Sequence, residues 1–161
     1  GDWSVDRLVP DAIRAFTSGS PLVIRKPMAT RPWQHVLDAL SGYLLLAEAQ
    51  WNHPSKFVGA WNFGPEYNGE CQVEFVASRL ADLWEENAKI IISPFPDDLP
   101  EASFLRLDAS KSRQFLGWKP AWSLEDTLEK TIRWYKSWQN GEDMKEFSER
   151  QISEYISGGY R

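Results

Sequence analysis

Helix-type and strand-type segments alternate along this chain, and each strand-type segment is very short. In the helix-type segments, apolar residues recur at spacings of three and four, which is the periodicity of an amphipathic helix. Short apolar runs lie between them and are typical of strands. This order predicts an α/β lobe, partly of α+β character, with a small mixed or parallel sheet and about five helices. The predicted helices cover residues 11–18, 36–47, 73–84, 108–115 and 123–139, and the predicted strands cover 21–25, 60–64, 89–92 and 105–107.

The length and composition fit one folded domain with a sizeable core. The chain has 161 residues, of which 42% are hydrophobic and 25% are charged, and these values exclude a disordered tail, a collagen-like fibre and a simple coiled coil. We predict one domain over residues 1–161, with residues 142–161 as a terminal helix or tail. The longest uninterrupted apolar run, Tyr43–Ala47, is too short to span a bilayer, and no charged-then-apolar leader is visible. The short, irregular strands are atypical of an independent domain and favour a lobe that packs against a larger partner.

Charge and cysteine content limit the partners and the compartment. A formal net charge of -5 disfavours nucleic-acid and anionic-membrane binding, so neither is expected as a partner. Cys71 is the single cysteine, so the chain can form neither a disulfide framework nor a cysteine zinc site. A reducing compartment such as the cytoplasm fits this count. No residue that could act as a base on the thiol of Cys71 is recognisable from its spacing in the sequence. We expect Cys71 to be a packing residue.

Motifs for cofactor chemistry are absent from this sequence. It contains no Gly-x-Gly-x-x-Gly, no P-loop and no tyrosine followed four residues later by lysine. His35 and His53 are too few for a metal site, and neither stands in a nucleophile-elbow or metalloprotease motif. We expect this chain alone to bind neither NAD nor a metal and to carry no catalytic residue. His35 stands at the start of a helix and is expected to be a satisfied structural histidine.

Basic side chains in the first third of the sequence form the most informative group. Arg7, Arg25, Lys26 and Arg31 lie in or beside predicted loops, close to the ends of strands. Guanidinium groups hold phosphate oxygens in a bidentate fork that lysine cannot copy, so this placement indicates an anion site. Solvated surface charge is the alternative, and the charges by themselves favour that alternative.

Two further sets of polar residues are open between a ligand role and a structural role. Asn62 ends a predicted strand, where its amide could read a base edge or a ribose, or could instead cap the turn. Asp97, Asp98 and Glu101 cluster on a proline-rich loop and could accept hydrogen bonds from sugar hydroxyls. For this second set, a solvated acidic loop is the favoured interpretation.

Four tryptophans lie in or beside the long predicted helix: Trp118, Trp122, Trp134 and Trp138. Their rings could stack on sugars. Helical spacing favours core packing instead, because large aromatic rings contribute most when they are buried.

Short strings spread over nearly the whole chain carry a resemblance to a known family. In chain order they are Gly1–Trp3, Asp6–Asp11, Arg31–Val36, Trp61–Pro65, Leu107–Lys111, Leu116–Pro120 and Gly141–Met144. Together they resemble the C-terminal half of the CDP-glucose 4,6-dehydratases, a branch of the extended short-chain dehydrogenase/reductases. Several strings are shared across the extended enzymes, whereas Gly-Asp-Trp, Arg-Pro-Trp-Gln-His and Gly-Glu-Asp-Met point to the CDP-glucose branch.

The resemblance implies the fold of a C-terminal lobe from which the Rossmann half is missing. In that family the N-terminal half binds NAD and carries the Tyr/Lys pair with the dehydratase acid and base, while the C-terminal half binds the nucleotide of the sugar substrate. A hydride passes from sugar C4 to NAD, water leaves across C5 and C6, and the hydride returns to C6. The product is a 4-keto-6-deoxy sugar nucleotide, a precursor for surface polysaccharide such as O-antigen. The resemblance also implies a homo-oligomer of the full-length enzyme.

Four of the implied substrate-binding residues lie near the start of the chain. Arg7 and Leu8 match the loop that packs on the diphosphate and nucleoside of the substrate. Val23 and Arg25 match strand positions beside the base.

Three further residues complete the implied site. Arg31 matches the arginine that opens the Arg-x-Trp/Tyr motif and grips a phosphate, so for this residue ligand binding becomes favoured over surface charge. Asn62 matches an asparagine near the nucleotide, and Glu101 matches a position near the ribose or phosphates. The stretch 97–100 departs from the basic or histidine-containing loop expected there, which weakens the match of Glu101.

Two rival hypotheses remain beside a CDP-sugar site. The same lobe could come from an epimerase or dehydratase that uses UDP- or dTDP-sugars. It could also be a non-catalytic binding or interaction module that no longer holds a nucleotide.

Overall fold

The computed structural model describes residues 2–66, 69–85, 88–93 and 102–158. Within these ranges it contains six helices and four short strands, which confirms the predicted α/β lobe. The helix count exceeds the expected five because part of the terminal stretch 142–161 forms a helix. In chain order the elements are α1 (Leu8–Thr17), β1 (Leu22–Ile24), β2 (Thr30–Pro32), α2 (Val36–Asn52), β3 (Glu70–Gln72), α3 (Val73–Trp84), β4 (Ile90–Ile92), α4 (Ser110–Leu116), α5 (Leu124–Gln139) and α6 (Met144–Ser157).

The four strands form two separate two-stranded sheets. β1 pairs in parallel with β4, with Leu22 opposite Ile90, and β2 pairs antiparallel with β3, with Arg31 opposite Cys71. A parallel pair needs a long crossover, and here α2 and α3 lie in the sequence between β1 and β4.

The main core lies where α1, α3 and α5 pack around β1. Its members share apolar side chains with almost no exposed surface, among them Ile13, Leu22, Val76, Leu80, Trp84, Leu128 and Ile132. On α3 and α5 these residues follow the predicted three- and four-residue spacing. Truncating one of the buried leucines to alanine would cost about 2–5 kcal/mol, because a cavity would remain.

Local end signals predict the bounds of α4 and α5 well. Ser123 accepts a hydrogen bond from the backbone N–H of Asp126, and the Asp126 carboxylate accepts from the backbone N–H of Ser123, which is a capping box. Gly117 follows α4 with φ of 67°, a left-handed conformation that glycine adopts without steric cost. Both features confirm the sequence predictions.

Helix α2 is oriented opposite to the prediction from its apolar periodicity. The apolar residues that recur at three- and four-residue spacing, namely Val36, Leu40, Tyr43, Leu44 and Ala47, are exposed, whereas Asp38, Ser41 and Gly42 are buried. Asp38 Oδ1 accepts hydrogen bonds from Tyr155 Oη and from the backbone N–H of Ala121, both at 2.7 Å. A Cβ built on Gly42 would lie 2.2 Å from Cδ1 of Phe63, so only glycine permits this close approach.

Two predicted strands, 60–64 and 105–107, are not formed. A strand requires a neighbour for its hydrogen bonds, and segment 60–64 has none in the part of the chain that the structure describes. Side chains hold its carbonyls instead: Lys111 Nζ donates to Ala60 O, and Ser112 Oγ donates to Asn62 O. The second segment only borders a single parallel bridge between Thr30 and Phe104.

Candidate functional site

A cleft of about 440 Å³ opens between the start of α1, strand β1 and strand β2. Its lining includes Arg7 and Leu8 from the start of α1, Val23 and Arg25 from β1 and its end, and Arg31 from β2. These are five of the seven substrate-binding residues predicted from the sequence. We call this cleft the arginine cleft.

The charge balance of the arginine cleft is positive. Four basic residues line it, namely Arg7, Arg25, Lys26 and Arg31, against three acids, Asp2, Asp6 and Asp11. The carboxylate of Asp11 forms an ion pair with Arg14, which lies outside the lining. Arg25 Nη2 lies 2.8 Å from Asp6 Oδ1 in an exposed ion pair. Such a pair is only weakly stabilising in water, so the Arg25 guanidinium can exchange this carboxylate for another anion at little cost.

The backbone before α1 aims polar groups at the cleft. Asp6 has φ of 59°, a left-handed conformation that is unusual for a residue other than glycine but is tolerated by aspartate. Arg7 follows as the N-cap residue and supplies no side-chain cap. Within the described residues, no hydrogen bond is donated by the backbone N–H of Leu8 or Val9. The first turn of α1 therefore adds partial positive charge to the same region.

The remaining wall of the arginine cleft is apolar. Alternation along β1 buries Leu22 and Ile24 and leaves Val23 48% exposed on the cleft side. The indole of Trp33 also lines the cleft, and its Nε1 donates to the carbonyl of Cys71 at 3.0 Å, which fixes the ring. An apolar wall beside clustered guanidinium groups can accommodate a flat ring joined to phosphates.

One of the seven predicted residues is not brought into this cleft, and another lies outside the described residues. Asn62 is exposed, does not line the cleft, and donates through Nδ2 to the carbonyl of Asp108 at 3.2 Å. Its observed contact therefore joins two loops. Glu101 lies outside the described residues, as do Asp97 and Asp98.

The sequence predicts no ligand role for several residues that line the cleft, among them Asp6 and Trp33. Both stand within strings that carry the family resemblance, Asp6–Asp11 and Arg31–Val36. Their spacing in the sequence gives no indication of a ligand site, because only the folding of the chain brings these two residues to the cleft.

A buried polar cluster lies apart from the arginine cleft. This Asp38 cluster comprises Asp38, Ser41, Trp118 and Tyr155 with the backbone N–H of Ala121. Burial raises the pKa of Asp38, and its Oδ2 makes no hydrogen bond in the described part of the chain. None of its four side chains lines the arginine cleft. The cluster instead joins α2 and α6 to the connection between α4 and α5.

His35 confirms the prediction of a satisfied structural histidine. It is the N-cap residue of α2, is buried, and accepts a hydrogen bond through Nδ1 from the backbone N–H of Leu37. Burial and the positive charge of Lys130 lower the pKa of His35 to about 4. Its ring packs edge-on against Trp122, with 4.6 Å between centroids.

The tryptophans and the cysteine behave largely as packing residues. Trp118 is almost fully buried and Trp122 and Trp134 are partly buried, which confirms the core-packing prediction, whereas Trp138 is 42% exposed and contacts Trp3. Cys71 is partly buried, and this burial raises the pKa of its thiol.

Metal and membrane features are not found in the described ranges. No group of three or more histidine, cysteine or acidic side chains there could hold a metal ion. Likewise, none of the described helices combines the length and apolarity needed to cross a bilayer.

Comparison with solved structures defines the class of the fold. An epimerase from Methanothermobacter thermautotrophicus is 25% identical, with a TM-score of 0.69, and the match covers 84% of this chain and 39% of that one. UDP-glucuronic acid 4-epimerase from Bacillus cereus, solved with UDP-glucuronic acid and NAD, gives 21% identity, a TM-score of 0.67 and coverage of 82% and 40%. dTDP-glucose 4,6-dehydratase from Bacillus anthracis, solved with NAD, is 18% identical with a TM-score of 0.62, and the match covers 82% of this chain and 39% of that one. The chain therefore has the fold of the C-terminal lobe of extended short-chain dehydrogenase/reductases.

Sequence comparison narrows the resemblance to a particular enzyme. The chain is 42% identical, over 162 aligned positions, to CDP-glucose 4,6-dehydratase from Salmonella typhimurium. The match covers 100% of this chain and 45% of that protein, in its C-terminal part. The predicted resemblance is confirmed, and the chain spans less than half the length of this relative. No family model matches the chain.

Proposed function

We propose that this chain binds the nucleotide of a CDP-sugar as the substrate-binding part of an NAD-dependent CDP-glucose 4,6-dehydratase. The observation that carries the proposal is the convergence of Arg7, Leu8, Val23, Arg25 and Arg31 on one cleft. The coarser class, sugar-nucleotide processing, is supported by the relatives, which include epimerases and dehydratases of UDP-, dTDP- and CDP-sugars.

The arginine cleft suits a nucleoside diphosphate in three ways. Its guanidinium groups can form bidentate, charge-assisted hydrogen bonds with phosphate oxygens. The uncapped first turn of α1 adds backbone donors at the same place. Leu8, Val23 and Trp33 offer apolar contact for the base and ribose. Binding energy gained on the nucleotide would position the sugar for chemistry elsewhere, where water leaves across C5 and C6.

NAD does not fit the described part of this chain. A dinucleotide site needs a strand that leads through a glycine-rich turn into a helix. Here β1 is followed by Arg25–Pro27, and β3 passes directly into α3. Hydride transfer to and from NAD, together with the proton-transfer residues, therefore belongs in the proposal to an N-terminal Rossmann half, and this chain alone carries no catalytic residue.

Several finer features of the proposal stay predictions. They are the Rossmann half as partner, a homo-oligomer of the complete enzyme, a cytoplasmic location and a role in surface-polysaccharide synthesis. Asn62 and Glu101 also stay predicted ligand residues, because Asn62 does not line the arginine cleft and Glu101 lies outside the described residues.

Calorimetric titration of the chain with CDP tests the proposal. We expect saturable binding that Arg31→Ala weakens about 10- to 100-fold, because a hydrogen bond to a charged group contributes about 1.5–3 kcal/mol. Arg133→Ala is the matched control, since Arg133 lies on α5, outside the cleft lining, and its Nη1 lies 3.9 Å from Glu129 Oε1. Unchanged CDP binding in Arg31→Ala would refute the phosphate role.

Competing nucleotides and a turnover assay separate the rival hypotheses. Tighter binding of UDP or dTDP than of CDP would favour a UDP- or dTDP-sugar enzyme, as among the structural relatives. Absence of binding to all three would favour a non-catalytic interaction module. Conversion of CDP-glucose by this chain with added NAD would contradict the assignment of catalysis to another half.

A further inference from the structure

Another cleft, of about 400 Å³, adjoins the arginine cleft. Helices α5 and α6 form one side of it, and the starts of α1 and α2 form the other. Asp2, Val9 and Pro10 line both clefts, so the two share a wall. A cleft of this size can accommodate a small molecule. We call it the His35 cleft, after the buried histidine in its lining.

The walls of the His35 cleft are mainly apolar and include two aromatic rings. Trp134 and Tyr135 stand edge-on to each other on α5, with 5.2 Å between ring centroids. Trp134 Nε1 donates to Ser148 Oγ at 3.0 Å, so the polar atom of this indole is already paired. The ring itself offers apolar contact, and Ile152 on α6 adds an aliphatic side chain. These walls can hold a flat apolar body.

Several polar groups of the lining already have partners within the lobe. Thr131 Oγ1 and Ser148 Oγ each donate to the backbone carbonyl one helical turn earlier, at 2.7 Å and 2.6 Å. Tyr135 Oη donates to the carbonyl of Asp2 and accepts from the backbone N–H of the same residue. These groups need no ligand.

The buried ring of His35 presents an open donor to the cleft. Its Nδ1 accepts from the backbone N–H of Leu37, and the pKa of about 4 keeps the ring neutral at pH 7, so the proton lies on Nε2. Within the described residues Nε2 makes no hydrogen bond, and it is not among the fully enclosed atoms that lack a partner. The side chain is 7% exposed, and we assign this remaining access to the cleft that the ring lines.

Gln151 supplies an open acceptor in the same way. The residue is 8% exposed, and its Nε2 donates to the carbonyl of Lys130 at 2.9 Å, which fixes the amide. No partner for Oε1 exists in the part of the chain that the structure describes, and this atom is not fully enclosed either. A rigid donor and a rigid acceptor beside an apolar wall favour a ligand that pairs with both.

The charge of the His35 cleft excludes the ligands that suit the arginine cleft. No lysine or arginine of the described chain lines it, and Asp2 contributes a carboxylate. A hydrogen bond from a backbone N–H lowers the pKa of Asp2, which keeps this group negative at neutral pH. Phosphates and other anions are therefore disfavoured.

We infer that the His35 cleft binds a small uncharged aromatic molecule that carries both a carbonyl and an N–H, as an amide or a lactam does. The aromatic ring packs against Trp134, the carbonyl accepts from His35 Nε2–H, and the N–H donates to Gln151 Oε1. This binding site is separate from the proposed nucleotide site and does not depend on it.

Three benzene derivatives of similar shape test the inference by NMR titration of the isolated chain. Benzamide carries an uncharged carbonyl and an N–H, benzoate replaces them with a carboxylate, and toluene has neither. The indole N–H signal of Trp134, assigned with Trp134→Phe, reports on the cleft. We expect benzamide to shift it saturably, with a Kd about fivefold or more below those of benzoate and toluene, because two hydrogen bonds are gained. The signal of Trp51, which is exposed at the other end of α2, should not move.

Two substitutions on one helix locate the site. Ile152→Trp fills the cleft and should weaken benzamide binding at least tenfold. Ile156→Trp, one turn later, is the matched control and should change the Kd less than twofold, because Ile156 is 58% exposed and outside the lining. His35→Asn keeps a helix-capping side chain but removes the ring donor, and it should abolish the preference for benzamide over toluene. This second variant keeps the test valid if Ile152→Trp fails to fold.

Several outcomes would overturn the inference. No saturable shift with benzamide would mean that the cleft holds no such ligand, and equal binding of toluene would reduce it to an apolar surface. Equal effects of Ile152→Trp and Ile156→Trp would indicate non-specific contact. Loss of benzamide binding in Arg31→Ala, with Ile152→Trp unaffected, would place the ligand in the arginine cleft instead.

Discussion

The arginine cleft and the Asp38 cluster place similar polar groups in opposite surroundings. In the cleft, Arg25 and Asp6 pair at an exposed site, where water competes for both groups. In the cluster, Asp38 has no exposed surface and shares its Oδ1 with Tyr155 and the Ala121 backbone. Exposed pairs exchange partners easily, whereas buried ones are costly to break. The comparison predicts that charged groups in the first region can exchange partners, whereas those in the second support the fold.

Removing the Asp38 carboxylate should have the largest effect on stability. Asp38→Ala leaves Tyr155 Oη and the Ala121 N–H without their buried acceptor, and we expect a loss of about 2–4 kcal/mol in the free energy of unfolding. Urea unfolding measures the loss, and Glu48→Ala on the exposed side of α2 is the control. A loss as small as that of the control would remove the distinction between the two regions.

The titration of His35 should produce a somewhat smaller loss in the free energy of unfolding, and this loss should depend on pH. The folded pKa is about 4 and the unfolded value is 6.5, so below pH 6.5 the unfolded chain binds the proton more strongly. The contribution of neutral His35 is complete above pH 6.5 and is lost as pH falls through about 4. Protonation of His35 therefore lowers the free energy of unfolding by about 3 kcal/mol at low pH.

His35→Asn should flatten the acid-side loss of stability, because asparagine caps a helix without titrating. Urea unfolding between pH 7 and pH 4 measures the slope for both proteins. His53→Asn is the matched control, because His53 is exposed at the other end of α2 and its replacement leaves the buried His35 in place. Parallel curves for wild type and His35→Asn would contradict the buried, neutral histidine.

Neutralising Asp6 should have the smallest effect on stability and a measurable effect on binding. Asp6→Asn keeps a residue type that tolerates the left-handed φ of 59°, so Tm should change by less than about 2 °C. The variant removes the carboxylate that competes for Arg25, and CDP affinity should rise about two- to threefold. Weaker binding would instead mean that Asp6 holds Arg25 in position. Asp82→Asn, at another exposed ion pair, should leave affinity unchanged.

Structural features that depend on a few residues close together in the chain were predictable from the sequence. The capping box of Ser123 and Asp126 and the spacing of Leu128 and Ile132 locate α5 correctly. The left-handed Gly117 marks the end of α4 in the same way. All of this information lies within one or two helical turns.

Features that depend on a partner were not predictable. The periodicity of α2 correctly marks an apolar face, but hydropathy carries no information about whether the same chain covers that face. Segment 60–64 has the composition of a strand, yet its sequence does not show that a neighbouring strand is missing from the described residues. The same limit applies to Asn62, whose contact with Asp108 spans 46 residues.

The candidate site was predictable only as a set of residue types. Basic residues near strand ends indicated an anion site, and the family resemblance added Leu8 and Val23. Their convergence on one cleft depends on how α1, β1 and β2 lie beside one another in the fold, which no local pattern reveals.

The pairing of β1 with β4 also bears on the order in which the lobe folds. Leu22 and its partner Ile90 are 68 residues apart in sequence, whereas α5 and α6 are joined by a short turn. Closing a large loop costs more entropy than closing a small one, so contacts between distant residues form late. The helical hairpin of α5 and α6 should therefore assemble early, and the wall that carries Val23 should close last. A nucleotide bound against that wall would therefore slow the first step in the unfolding of the lobe.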